Sequence, residues 1–316
     1  MAGPGDLFSG LSSSLVRFVY AWFVPSAAAV SIGALTLVPD LAKRFGGRLT
    51  VINTVGLVEK SIVGLLAVFL LSIVFALTSL PVYRFLEGYT MPKWLAGPLL
   101  RRQVRSWTRL TRVVQTGGRR STNEWTQARE RLHDYPTEQK LLMPTRFGNG
   151  FRALETYGSA HYGADTQLLW YEFTSLAPDS LRGDIEDARM PIDFFVSAMV
   201  HLLLLAAAAA VTAVVASSVL AGVVAAISTL LVPIAYGAAV RNIGEFRITV
   251  QALVNVSRKG VAEGFGLLLP DNANDEVLMW TTLTRFAEPG PPSKQVELAQ
   301  LDRFRGQPSA SSDPSR

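Results

Sequence analysis

A chain of 316 residues with a mean hydropathy of +0.27 and 17% charged residues has the composition of a membrane protein with sizeable soluble parts. It carries no cysteine, which excludes disulfides, thiolate metal sites and cysteine nucleophiles. Its net charge is +5, and arginine far outnumbers lysine, an excess that reads as genome composition rather than mechanism.

Residues 1–15 are Gly/Ser-rich and read as a flexible N-terminus. The apolar run Val16–Val38 is too long for a cleaved signal peptide and has only Arg17 at its head, so it reads as a signal anchor. Cleavage after Ala27 or Ala29 is the alternative. Pro25 and Ser26 are expected to kink this first span, and Tyr20, Trp22 and Phe23 suit an interface. A re-entrant first segment is a further alternative. Ser61–Leu80 is a cleaner span, bracketed by Lys60 and Arg84. Together, residues 16–80 form a first transmembrane hairpin.

Residues 81–190 then form a basic helix and a central domain. Pro98 is predicted to start a helix running to about Gln115, ended by Gly117-Gly118. At 100° per residue, Leu99, Leu100, Val104, Trp107, Leu110 and Val114 fall on one side; Arg101, Arg102, Arg105, Arg109 and Arg112 fall on the other. Such a helix suits a surface of anionic lipid. Alternatively, its apolar stripe packs on the protein itself and its arginines are simply solvated. Charge alone supports nucleic-acid binding poorly, and no nucleic-acid module is present.

A second helix, capped by Thr122 or Asn123, is expected through His133. Gly148–Gly150 read as a turn at the start of a helix over 151–157. Its exposed amides, with Arg146 nearby, make Arg146, Gly148 and Asn149 candidates for binding an anion or lipid head group. The alternative is a plain helix start with Arg146 paired to an acid such as Glu155. The run Leu168–Phe173 is a buried or interfacial helix. Residues 179–189 lead as a helix into the third span, with Asp184, Glu186 and Asp187 expected to face Arg182 and Arg189.

Residues 191–240 form the second hairpin, Phe194–Val215 and Val219–Val240, turning at Ala216-Ser217-Ser218. Its many alanines and glycines suit close packing or a homo-oligomer interface. His201 is the one ionisable group well inside a span; it is either a proton-sensitive or ligand-contacting group or a histidine bonded to a neighbouring helix. Residues 241–287 read as helices packing on the central domain, with Trp280 and Leu283 as anchors. Residues 288–316 read as a disordered tail.

Basic residues set the orientation. Arg84, Lys93, Arg119, Arg120 and the five helix arginines follow the second span; Arg182 and Arg189 precede the third; Arg241, Arg247, Arg258 and Lys259 follow the fourth. Both termini and the central domain are therefore expected in the cytoplasm of a bacterial inner membrane. Lys43, Arg44 and Arg48, opposed by Asp40, lie on the outer side in this topology and dissent from it.

The runs Leu86-Glu87-Gly88-Tyr89, Pro144-Thr145-Arg146-Phe147-Gly148-Asn149 and Tyr162-Gly163-Ala164-Asp165, with Trp170 after them, resemble a group of uncharacterised bacterial multi-pass membrane proteins. The resemblance covers about residues 15–286 and implies four spans around a soluble helical domain. It implies no activity, cofactor or catalytic residue.

His133, His161 and His201 lack metal-ligand spacing, and neither a nucleophile elbow nor a dinucleotide fingerprint is present. No catalytic residue, metal or cofactor is assigned. The sequence points to an all-α membrane protein acting without catalysis as a sensor, scaffold or recruitment protein, with the lipid bilayer as its first partner. An oligomeric pore gated by the cytoplasmic domain is the alternative. A lipid-modifying enzyme using Arg146, Glu155 and Asp165 is a second.

Overall fold

The computed structural model describes residues 15–45, 56–116, 122–288 and 295–305. Arg48, Gly117, Gly118, Arg119, Arg120, most of the N-terminal segment and the last residues of the tail lie outside these. The fold is all-α. In chain order the helices are α1 (Leu15–Phe45), α2 (Leu57–Glu87), α3 (Lys93–Gln115), α4 (Thr122–Leu132), α5 (Arg146–Glu155), α6 (Tyr157–Tyr162), α7 (Trp170–Ser175), α8 (Asp179–Val215), α9 (Val219–Gly264), α10 (Ala273–Ala287) and α11 (Gln295–Asp302). Four of them, α1, α2, α8 and α9, are long and apolar enough to cross a membrane. They form two hairpins, one on each side in sequence of a central helical bundle.

The chain divides into two compact units, residues 15–85 with 187–243 and residues 86–186 with 244–305. In the first unit, small residues let helices approach. Leu37 of α1 packs with Leu205, Ala209 and Ala221 of the second hairpin. Phe18 meets Phe69 edge-on at 6.4 Å, and Tyr20 meets Phe194 at 5.7 Å, so α1 touches both α2 and α8. Most other apolar side chains point outward: Leu35 is 77% exposed and Leu77 79%. Hydrocarbon, not water, is the solvent that makes such a surface favourable.

Pro25 is accommodated by widening the helix. Val19–Phe23 is a π turn just before it, and the Ser26 hydroxyl stands 2.8 Å from the Trp22 carbonyl. Such turns absorb an extra residue within an α-helix. Between α8 and α9 the chain reverses at Ser217, whose φ is +51°. Ser218 caps α9 by accepting from the Ala221 amide at 3.1 Å.

The second unit has a compact apolar core. Phe147, Phe173, Leu253, Met279 and Trp280 are fully buried there. Phe246, Val250, Leu253 and Val254 recur along the later part of α9 at helical spacing and face this core. The short α7 buries Phe173 and leaves Tyr171 84% exposed.

Several local expectations differ from the structure; Gly148–Gly150, read as a turn before a helix over 151–157, lie inside a helix that begins at Arg146 because Thr145 caps it. The basic helix starts at Lys93, with Pro98 inside it, because Pro92 accepts the first-turn amides of Leu95 and Ala96, both at 2.9 Å. Arg182 pairs with Asp179 and Arg189 with Asp193, while Asp184, Glu186 and Asp187 are exposed. Residues 295–305 form α11 and a docked end. Leu301 and Phe304 are buried, and Leu268 donates to the Phe304 carbonyl at 2.7 Å. Leu298, Leu301 and Phe304 form an apolar stripe that the flanking prolines obscure in the composition.

Trp280 is fully buried and stacks on Phe173 at 6.0 Å. Trp280→Ala is expected to destabilise the second unit by about 3–5 kcal/mol. A thermal unfolding midpoint in detergent equal to wild type would contradict that packing.

Candidate functional site

Two of the motif runs meet at the start of α5. Thr145 is its N-cap, and its hydroxyl accepts from the Gly148 amide at 2.8 Å. The same hydroxyl donates to the Leu86 carbonyl. Asn149 is fully buried and bonds three backbone groups: it accepts from the Met143 amide at 2.8 Å and donates to the Met143 and Thr145 carbonyls at 2.9 and 2.7 Å. A Cβ on Gly148 would overlap the Glu87 carbonyl, so only glycine permits this approach. Gly88 turns the chain here with φ +102° and packs against Pro144. Of the three candidate anion ligands, Gly148 and Asn149 thus hold the joint together, while Arg146 is exposed.

The third run closes a second joint. Gly163 has φ +78° and lies against Val277 and Thr281 of α10. The Asp165 amide donates to the Thr284 hydroxyl at 3.1 Å, and its carboxylate accepts from the amides of Gln167 and Leu168.

Glu155 pairs with Arg152 at 3.4 Å, not with Arg146. Burial holds its carboxyl above the usual carboxylate range; Arg152 opposes the shift, and nearby Asp165 adds to it. Arg146 stands nine residues before Glu155 on α5, on the opposite face of the helix at 100° per residue. Arg146, Glu155 and Asp165 therefore do not converge on one reacting centre.

On α3 the five arginines Arg101, Arg102, Arg105, Arg109 and Arg112 are all exposed. The opposite stripe is occupied by the protein itself. Trp107 donates to the Pro136 carbonyl at 3.3 Å, Trp125 of α4 donates to the Val114 carbonyl at 3.2 Å, and Tyr135 donates to Gln103 at 3.0 Å. Trp94, at the head of α3, is 77% exposed.

Two polar clusters of the first unit escaped sequence reasoning because their members lie far apart in the chain. Asp193 of α8 is buried and accepts from Arg17 of α1 at 2.7 Å and from the Tyr83 hydroxyl of α2. Arg189 stands 3.8 Å from the same carboxylate. The second cluster lies at the other end of α1, where Asp40 accepts from the Ser218 hydroxyl and pairs with Lys43 at 3.5 Å. Arg17 and Asp40 are 23 residues apart on one helix, about 35 Å at 1.5 Å per residue. That separation suits a hydrocarbon layer of about 30 Å.

His201 lies between the two belts and joins α8 to α1. Its Nδ1 is 2.8 Å from the Ser197 carbonyl, and its Nε2 is 2.9 Å from Ser26 Oγ. A carbonyl only accepts, so Nδ1 carries the proton and in the neutral ring Nε2 is an acceptor. The single Ser26 proton then serves either His201 or the Trp22 carbonyl. Phe75 of α2 packs on the imidazole at 4.2 Å. His201 is thus bonded across to a neighbouring helix and is 3% exposed. Among the described residues no group of three or more His, Asp or Glu can hold a metal ion.

Asp193→Ala is expected to cost about 3 kcal/mol, because it strips partners from two helices at once. Arg17→Ala should cost clearly less, since Tyr83 and Arg189 still face the carboxylate. Equal melting losses for the two variants would contradict a shared acceptor. For Glu155, a carboxyl raised on folding binds more protons folded than unfolded, so its contribution to stability falls as pH rises above the ordinary value of about 4.3. Glu155→Gln should therefore gain in melting temperature relative to wild type between pH 4.5 and 7.5; a variant that loses ground over that interval would refute this.

Comparison of the chain with family models, with curated proteins and with solved structures finds no match. The likeness drawn on the three runs consequently rests on those residues alone and places the chain in no family.

Proposed function

We propose that this chain is a bacterial inner-membrane protein whose helical second unit stands at the cytoplasmic leaflet and acts without catalysis, as a sensor, scaffold or recruitment platform. The observation that carries this reading is the arginine face of α3. It follows α2 directly, all five side chains are exposed, and none forms an ion pair among the described residues. Anionic lipid attracts each such arginine by about 1 kcal/mol, an attraction that salt weakens. Because the apolar stripe of α3 packs on α4 and on residues 133–136, the helix meets head groups by charge rather than by inserting into acyl chains. The exposed Trp94 at the head of α3 suits such an interface and supports the reading.

The positive-inside rule supports the cytoplasmic placement. Lys43 and Arg44 carry less weight, since Asp40 offsets Lys43 in place. Arg146 and Glu155, on opposite faces of α5, count against the lipid-modifying alternative. No specific feature favours a pore.

The absence of native cysteine makes single-cysteine labelling clean. Thr108→Cys, on the exposed side of α3, should resist an impermeant maleimide in intact cells and react in inverted vesicles, whereas Ser217→Cys should behave the opposite way. A polarity-sensitive dye at Thr108→Cys should shift when phosphatidylglycerol is added to the bilayer. Replacing the five arginines by glutamine should abolish that shift. External labelling of Thr108→Cys, or a dye blind to lipid charge, would overturn the reading.

A further inference from the structure

The second unit contains a cavity of about 370 Å³ between α3, α4, residues 133–137, the end of α5, α6 and the later part of α9. Its volume falls at the lower end of small-ligand clefts, about 300–1,000 Å³. None of the arginines on the lipid-directed face of α3 lines it.

Trp107, Val114, Leu132, Pro136 and Ala153 give the cavity apolar walls. The Trp107 indole N–H is already bonded to the Pro136 carbonyl, so its ring contributes only a flat apolar surface. The charged lining is of one sign. It consists of Arg129 and Arg247, with the imidazoles of His133 and His161 beside them, and no carboxylate lines the cavity among the described residues.

Arg247 is held by the His133 carbonyl and by Asp134 at 3.0 Å, which fixes its guanidinium in place and partly offsets its charge. Arg129 has no carboxylate partner among the described residues and leans over the Trp125 ring at 5.2 Å. His161 stacks on Tyr157 at 4.2 Å and uses Nδ1 on the Tyr157 carbonyl, leaving Nε2 as its remaining polar atom. Thr111 lines the cavity, and its Oγ1 is buried with no hydrogen-bond partner. A buried hydroxyl is seldom left unpaired in a finished core. The local potential is felt by His133: burial first, then Arg247 and Arg129, hold its imidazole below the usual histidine range.

We propose that this cleft binds a small amphipathic organic anion, a phosphate ester or carboxylate carried on an aromatic or apolar body. The anionic group lies between Arg129 and Arg247, and the body lies on Trp107. Arginine suits both anions because its planar fork matches their oxygens. The proposal extends the sensor reading by naming a ligand class, and it holds whichever leaflet the domain faces.

The test uses the full chain in phosphatidylcholine nanodiscs, with empty nanodiscs as background. 1-Naphthyl phosphate is titrated, and binding is followed by tryptophan fluorescence and by calorimetry. Saturable one-site binding is expected. 1-Naphthol, the body without the anion, and inorganic phosphate, the anion without the body, should each bind at least tenfold more weakly. Arg129→Gln, a change at an exposed position that leaves the fold intact, should weaken binding tenfold or more. Trp107→Phe should remove most of the fluorescence change with the helical circular dichroism unchanged. Competition by soluble dihexanoyl phosphatidic acid at similar affinity would assign the site to lipid head groups, and failure to compete would assign it to free organic anions. The proposal is overturned by non-saturable binding, by equal affinity for 1-naphthol, or by wild-type affinity in Arg129→Gln.

Discussion

Leu35, Leu77, Val214 and Val219 each expose more than three quarters of their surface, and only a hydrocarbon surround makes that stable. In such a medium a helix satisfies its own backbone, and polar side chains must either pair or retreat to the ends. The first unit obeys this closely. Two polar clusters mark its levels, Arg17–Tyr83–Arg189–Asp193 at one and Asp40–Lys43–Ser218 at another. Between them lie small and aliphatic side chains, hydroxyls such as Ser72 and Thr212 bonded back to their own helix, and the His201 imidazole. Where the polar groups sit, and how wide the greasy zone is, follow from the one solvent.

The four long helices were legible in the chain because each is a local property of twenty or so consecutive residues. So was the two-sided character of α3, which needs only a 100° rotation per residue. Asp193 was not legible as a hub. Its partners lie 176 and 110 residues away, and no local pattern announces that three helices will share one carboxylate. The docked end of the chain at Phe304 was obscured for another reason: prolines and serines around it dominate the composition, while the apolar stripe beneath is only three residues long.

The three sequence runs that stand out by eye turn out to be joints. Glycine is required at 148 because a neighbouring carbonyl occupies the space of a side chain, and Asn149 is spent on three backbone groups at once. Residues so constrained look like a binding motif when read in line, since both need small, polar, conformationally free positions. The distinction lies in where their hydrogen bonds go, and here they go to the chain itself. The groups whose bonding is left open, Arg129 and the hydroxyl of Thr111, carry no motif at all.

The wide turn at Val19–Phe23 has a geometric effect beyond easing Pro25. Helices α1 and α8 meet at two polar contacts, Arg17 with Asp193 and Ser26 with His201. The spacing is nine residues along the first and eight along the second. Uninterrupted helices would rotate these intervals out of phase by one step of about 100°. One surplus residue taken up by the π turn removes the mismatch, so nine positions on one rod keep time with eight on the other, as a vernier scale is brought back to coincidence.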